Sequence, residues 1–202
     1  MAKGGNIPLD RGNCSGEMDS GFDTFATATP PIALALADEL NRGMYVLARI
    51  YDVAYTRTSE GSGSVGGHYR HNLNFVEAVL NGVKLGRIDY GKRIRDVRIE
   101  TNRGYAAERF AETISSLRRL SRNEAAKEVS VVSEVNPLVL YRSSVGRELE
   151  FAHSHTVHHH ALIAQKLHEI GLDASFGVAP STIRYRKSLQ QTEVAEEREI
   201  EL

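Results

Sequence analysis

A chain of 202 residues, 41% of them hydrophobic, can bury one core and suits a single domain with tails. Its formal net charge of −1 gives no global field for nucleic acid or an acidic membrane surface, so partners must be sought in local chemistry. One cysteine, Cys14, excludes an internal disulfide; with no apolar targeting core, and a longest apolar run (Pro30 to Ala37) far short of the ~20 residues that span a bilayer, the protein is expected in the cytoplasm.

Residues 1–29 mix Gly, Asp, Ser and Thr without periodicity and are expected to be irregular, with Phe22 and Phe25 docking locally. Pro30 and Pro31 suit a helix start, and Ile32, Leu36, Leu40, Val46, Leu47 and Ile50 carry a first helix to about Tyr51. A polar loop, 56–63, hands over to a second helix at Ser64. Its buried face is Val65, Tyr69, Leu73, Val76 and Leu80, and His68 and His71 lie on the same flank as Phe75.

The stretch 81–102 is too long for a tight turn and holds glycine at 82, 86 and 91, so it is expected to cross between ends of the helical domain, with room for a short helical turn. A third helix, 103–120, turns Tyr105, Phe110, Ile114 and Leu117 inward and Arg109, Glu112, Arg118 and Arg119 outward. Bases outnumber acids from Lys84 to Arg122. Without a reading helix or aromatic platform this is a solvated face, not a nucleic-acid surface. Val129, Val131, Val132 and Val135, then Leu138 to Tyr141 after the Asn136-Pro137 break, predict a short hairpin leading into a fourth helix.

That fourth helix carries the chemistry. Val145, Leu149, Ala152, Thr156, Ile163, Leu167 and Ile170 form one stripe at 100° per residue, with Ser144 as N-cap and Gly171 as the stop. Five histidines fall between His153 and His160. His155 and His159 are four apart, so their Cβ atoms lie roughly 5–6 Å from each other and border the stripe. Such a pair can grip one metal ion. His153 and His160 fall on the other flank and fit less well, and His158 points further out. Beyond Gly171, Phe176, Val178, Ile183 and Tyr185 are expected to pack back irregularly, and the final acidic segment is a frayed helix or tail.

Imidazole nitrogens suit zinc, nickel, copper and iron, and three protein ligands leave positions open for water or substrate. A bound zinc lowers the pKa of its water to about 7 and can hold a thiol as thiolate. The sequence has no cysteine cluster, HExxH, Gly-rich phosphate loop or GxSxG elbow, which sets aside closed structural zinc sites, zinc proteases and two further enzyme classes.

The Ser64-Val65 helix start, His71 seven residues after that serine, and HTVHH (155–159) in the last of four helices together resemble the DinB/YfiT-like superfamily. These are bacterial four-helix-bundle proteins with three histidines around a divalent metal. The likeness covers roughly 31–171. It implies an all-α fold, a four-helix bundle of this type; together with the hairpin and tails read from the residues, the expected division is 1–29, an irregular N-terminal segment, 30–187, the DinB-like domain with a short β-hairpin before the last helix, and 188–202, an acidic, frayed tail.

Carried over, the metal ligands are His71, His155 and His159, which would also be the catalytic residues, acting through the metal. Helical phase alone prefers His68 to His71, and His158 is a further alternative. Arg70, Tyr90 and His158 are expected near the open positions, as substrate contacts or second-layer partners. The resemblance implies a zinc or nickel ion and a low-molecular-weight thiol as co-substrate, because similar proteins include thiol S-transferases; others are metal-dependent hydrolases using water. The alternative is a non-catalytic metal-binding or stress-response bundle. Expected partners are a small-molecule substrate and, as an option, a second copy of the chain, without nucleic acid or membrane.

Overall fold

The computed structural model describes residues 26–58, 63–169, 171 and 176–200, with side chains to 191. Cys14, Phe22, Phe25, Ile170 and part of the 56–63 loop lie outside the described residues.

Helix α1, Pro31–Leu47, starts from an extended Pro30 with Pro31 at its first position, where the missing N–H costs nothing. It ends earlier than the expected Tyr51. The chain breaks at Ala48–Tyr51 and begins a separate short helix, α2, at Asp52–Thr56. Helix α3 follows at Val65–Leu85, then strand β1 at Arg87–Ile88 and the short helix α4 at Val97–Thr101. Asp96 and Asn102 cap α4 and α5 by accepting from backbone N–H groups, and α5 runs Arg103–Arg118. A capping box of Ser121 and Glu124 starts α6, Arg122–Ala125. Strands β2, Glu128–Val132, and β3, Leu140–Ser144, lead into α7, Val145–His168; α8 is Pro180–Ile200.

The chain is therefore mostly helical, with eight helices among the described residues rather than four. The expected hairpin is present, with Glu128 opposite Ser144 and Val132 opposite Leu140, but α7, into which it leads, is followed by another helix. Its sheet has a third member: β1 pairs parallel to β2, giving the order β1-β2-β3. The segment beyond Gly171 is helical from Pro180, and residue 188 falls inside α8.

Four long helices share one core. Helix α1 packs on α5 and α7, and α3 packs on α5 and α7. Leu36 and Leu40 of α1, Tyr69 and Leu73 of α3, Phe110 and Leu117 of α5, and Leu149 and Ile163 of α7 are fully buried together. The Tyr69 and Phe110 rings meet edge to face at 5.1 Å, and Tyr69 donates its hydroxyl to the Gly43 carbonyl. Among the described residues, no helix is long and apolar enough to cross a membrane.

Candidate metal centre

Two well-started helices hold the histidines. Ser64 caps α3 by accepting from Gly67 N at 2.9 Å, and Gly86 stops it in the left-handed region at φ 67°, where glycine alone is unstrained. At Gly66 an added Cβ would lie 2.1 Å from the Glu100 carbonyl oxygen, so only glycine lets α4 close on the first turn of α3. Ser144 caps α7 in the same way, and Glu148 places an acid in its first turn, where the helix dipole favours it. The two helices run in opposite directions: His68 meets His159, His71 meets His155 and His159, and Phe75 meets His155 and Phe151.

His71, His155 and His159 each offer a ligand atom, and these atoms all lie within 4.8 Å of one another. Their ring centroids are 4.6 to 4.9 Å apart. All three rings are half-buried. Burial, chiefly, and then the neighbouring histidines and other positive groups lower His71 and His155 to about 4 and His159 to about 3. At neutral pH all three are uncharged and carry a lone pair. His155 Nε2 is buried without a hydrogen-bond partner among the described residues, a state that costs free energy unless something else satisfies it. Three neutral nitrogens with an orphaned one among them fit a borderline-soft divalent cation such as zinc or nickel.

A second layer surrounds the three. His68 Nδ1 lies 2.9 Å from His159 Nδ1, so one ring must donate and the other accept. That bond engages His159 Nδ1 and leaves its Nε2 for another partner. Burial, above all, lowers the His68 pKa as well. Phe75 stacks on His155 at 3.9 Å between centroids and 26° between planes, and Tyr90 stacks on Phe75 at 4.9 Å. Tyr90 donates its hydroxyl to Glu148 at 2.7 Å, and Glu148 also accepts from Ser143. The Arg93 guanidinium sits 4.5 Å over the Phe75 ring, and its Nη1 is 3.5 Å from His71 Nδ1.

The structure thus brings His71, His155 and His159 together and sets His68 beside His159. His158 is exposed, with its ring 5.3 Å from that of His159. Arg70 is held by Glu100 at 2.9 Å while its charge acts on His71, and the Tyr90 hydroxyl is taken by Glu148. His153 and His160 face elsewhere: His160 is fully buried and its Nδ1 is 2.7 Å from Glu39 of α1. Sequence reasoning missed Arg93, whose place in the 81–102 connection gave no signal. It also missed Glu39, where an acid on the Leu36–Leu40–Gly43 face of α1 could have announced a buried partner.

No family model matches the chain. Over 115 residues it is 32% identical to FK506-binding protein 5 of Rhizopus delemar, a match that takes in 50% of this chain and 28% of that protein. The chain spans under a third of that relative's length.

Proposed function

We propose that the protein binds one divalent cation, zinc or nickel, through His71, His155 and His159, and acts as a metal-dependent enzyme on a small electrophilic substrate in the cytoplasm. The observation that carries the reading is the convergence of three neutral imidazoles from two helices within 4.8 Å. The DinB/YfiT-like resemblance supports it, and α1, α3, α5 and α7 would then be the four helices of that bundle. When bound, the cation would lower the pKa of a coordinated thiol or water and so supply a nucleophile at neutral pH.

The chain's own residues have separate tasks in this reading. His68 holds the tautomer of His159 through the bond between their Nδ1 atoms. Phe75 and Tyr90 back the His155 ring and keep water from that side. Glu148 anchors Tyr90 to the first turn of α7. A second reading, a cation-binding bundle without catalysis, draws support from one feature: among the described residues, no carboxylate is hydrogen-bonded to any of the three histidines, so no acid is in place as a general base.

Elemental analysis of native protein, followed by rate measurements, tests both. Reaction of a low-molecular-weight thiol with a haloaromatic, rising with bound metal, supports the transferase form. Turnover of an activated ester with no thiol present supports the hydrolase. A loaded protein no faster than His159→Ala in either assay favours the non-catalytic reading, and native protein without stoichiometric cation overturns both.

A further inference from the structure

A groove of about 600 Å³ lies along α3 and the loop that follows β1. Its floor includes Asn74, Ala78, Asn81 and Leu85. These positions continue, at steps of three and four residues, the helical row that begins at His71. The groove therefore points at the histidines. Arg93 stands at that end: it lines the groove and also reaches within 3.5 Å of His71.

Bases outnumber acids along the groove. Arg87, Lys92 and Arg93 all line it, and among the described residues none of them lies within salt-bridge distance of a carboxylate. Of the acids there, Glu77 is taken by Arg109 at 2.6 Å, and Asp89 accepts from the backbone of Gly91 and Lys92. A positive excess is left over. Arg93 is half-buried; Glu134 acts on it through charge from beyond salt-bridge reach, and its close contacts include the Phe75 face and the His71 ring, neither of which brings a negative charge. A planar guanidinium next to a cation-binding histidine cluster suits one class of ligand group above others, a carboxylate held by two parallel N–H bonds.

We propose that this groove, with Arg93 at its histidine end and Arg87 and Lys92 along it, is a binding subsite for a small organic carboxylate. The orientation of the ligand, reactive end toward His71, rests on the proposed function; the anion site itself does not. Arg93 is then a specificity-determining residue, selecting acidic substrates or an acidic thiol.

Calorimetric titration of the full chain, stripped of metal by a chelator, with succinate and separately with inorganic phosphate tests this. Succinate should bind, and Arg93→Gln should weaken it about tenfold or more, as expected for losing a charge-assisted pair. Arg93→Lys, which keeps the charge and loses the fork, should fall between. The exposed pair Arg87→Gln and Lys92→Gln should weaken binding without touching the histidine surroundings, and serves if Arg93→Gln does not fold. Arg142→Gln, on the hairpin, should change nothing. Absence of heat with succinate, equal affinity in wild type and the groove variants, or binding of phosphate alone would each overturn the carboxylate site. A parallel zinc titration keeps the two proposals apart: succinate binding without cation binding sinks the metal reading and leaves this one standing.

Discussion

His159 and His160 are adjacent in sequence, yet they belong to two different kinds of site. His159 faces α3, is half-buried, and makes ring contacts with His68, His71, His155 and His158. His160 faces α1, is fully buried, and meets the Glu39 carboxylate at 2.7 Å. Burial tends to raise the Glu39 pKa, but the His160 hydrogen bond and the Arg42 charge outweigh it and hold the carboxyl below its ordinary value. Burial keeps His160 itself below the usual imidazole range in spite of the carboxylate. The pair is thus a neutral ring donating from Nδ1 to an ionised acid, whose charge Arg42 balances from 2.9 Å. One step of 100° along a helix separates an imidazole whose Nδ1 is engaged by a buried carboxylate, its Nε2 left without a partner among the described residues, from one that faces other imidazoles. Position on the face, not residue type, decides which histidine can serve a ligand.

The comparison breaks most sharply on metal content. His155→Ala and His159→Ala should each lose the cation altogether while far-UV helicity stays intact and stability changes by no more than about 1 kcal/mol, as for a partly exposed side chain. His71→Ala should do the same. Stoichiometric metal in any of the three, measured by elemental analysis, would break the assignment of that face.

The opposite face should respond in stability instead. Glu39→Ala leaves a buried ring N–H of His160 without its acceptor and removes the partner of Arg42, so urea unfolding should show a loss of about 3 kcal/mol. The folded fraction should still bind its cation. A Glu39 variant as stable as wild type, or one that is stable but metal-free, would mean that the two faces are not separate.

His68 sharpens the boundary of the site. Its contact with the three rings runs through His159, so His68→Ala should weaken cation binding about tenfold, the lower end of what losing an orienting partner costs, and leave the stoichiometry unchanged. Complete loss in His68→Ala with retention in His71→Ala, followed by zinc titration, would show that helical phase was the better guide to helix α3.

How much of this was legible in the sequence follows from where each signal lies. The stripe of α7 and its Ser144 cap are local and periodic, so the helix and the inward reach of His155 and His159 could be read directly. Ser64 likewise marked the start of α3. The division of α1 from α2 was hidden because the apolar spacing continues through Val46, Leu47 and Ile50, although the backbone breaks there. Strand β1 has two residues, too few for alternation to show, and exists through its pairing with β2. Arg93 reaches His71 only because the chain after β1 folds back over α3, where Asn74 donates to the Ile94 carbonyl at 2.9 Å. Sequence spacing carries no trace of such a tertiary path.

The smallest expected effect is the response of the metal-free protein to acid. Burial holds His71 and His155 at about 4 and His159 at about 3, against 6.5 for a free imidazole. Between those values the unfolded chain takes up protons that the folded chain refuses, so the unfolded state is favoured as pH falls. The stability contributed by these neutral rings is complete above about 6.5 and is lost progressively down to about 4 to 3, below which both states are protonated and the loss stops. The rings are half-buried and screened by water, which keeps the effect modest. Urea unfolding at intervals across that window should therefore give a shallower pH dependence for the combined His71→Gln, His155→Gln, His159→Gln variant than for wild type. His68 and His160 remain in both proteins and share the direction of shift, so identical slopes would move the acid sensitivity to those two rings and take it away from His71, His155 and His159.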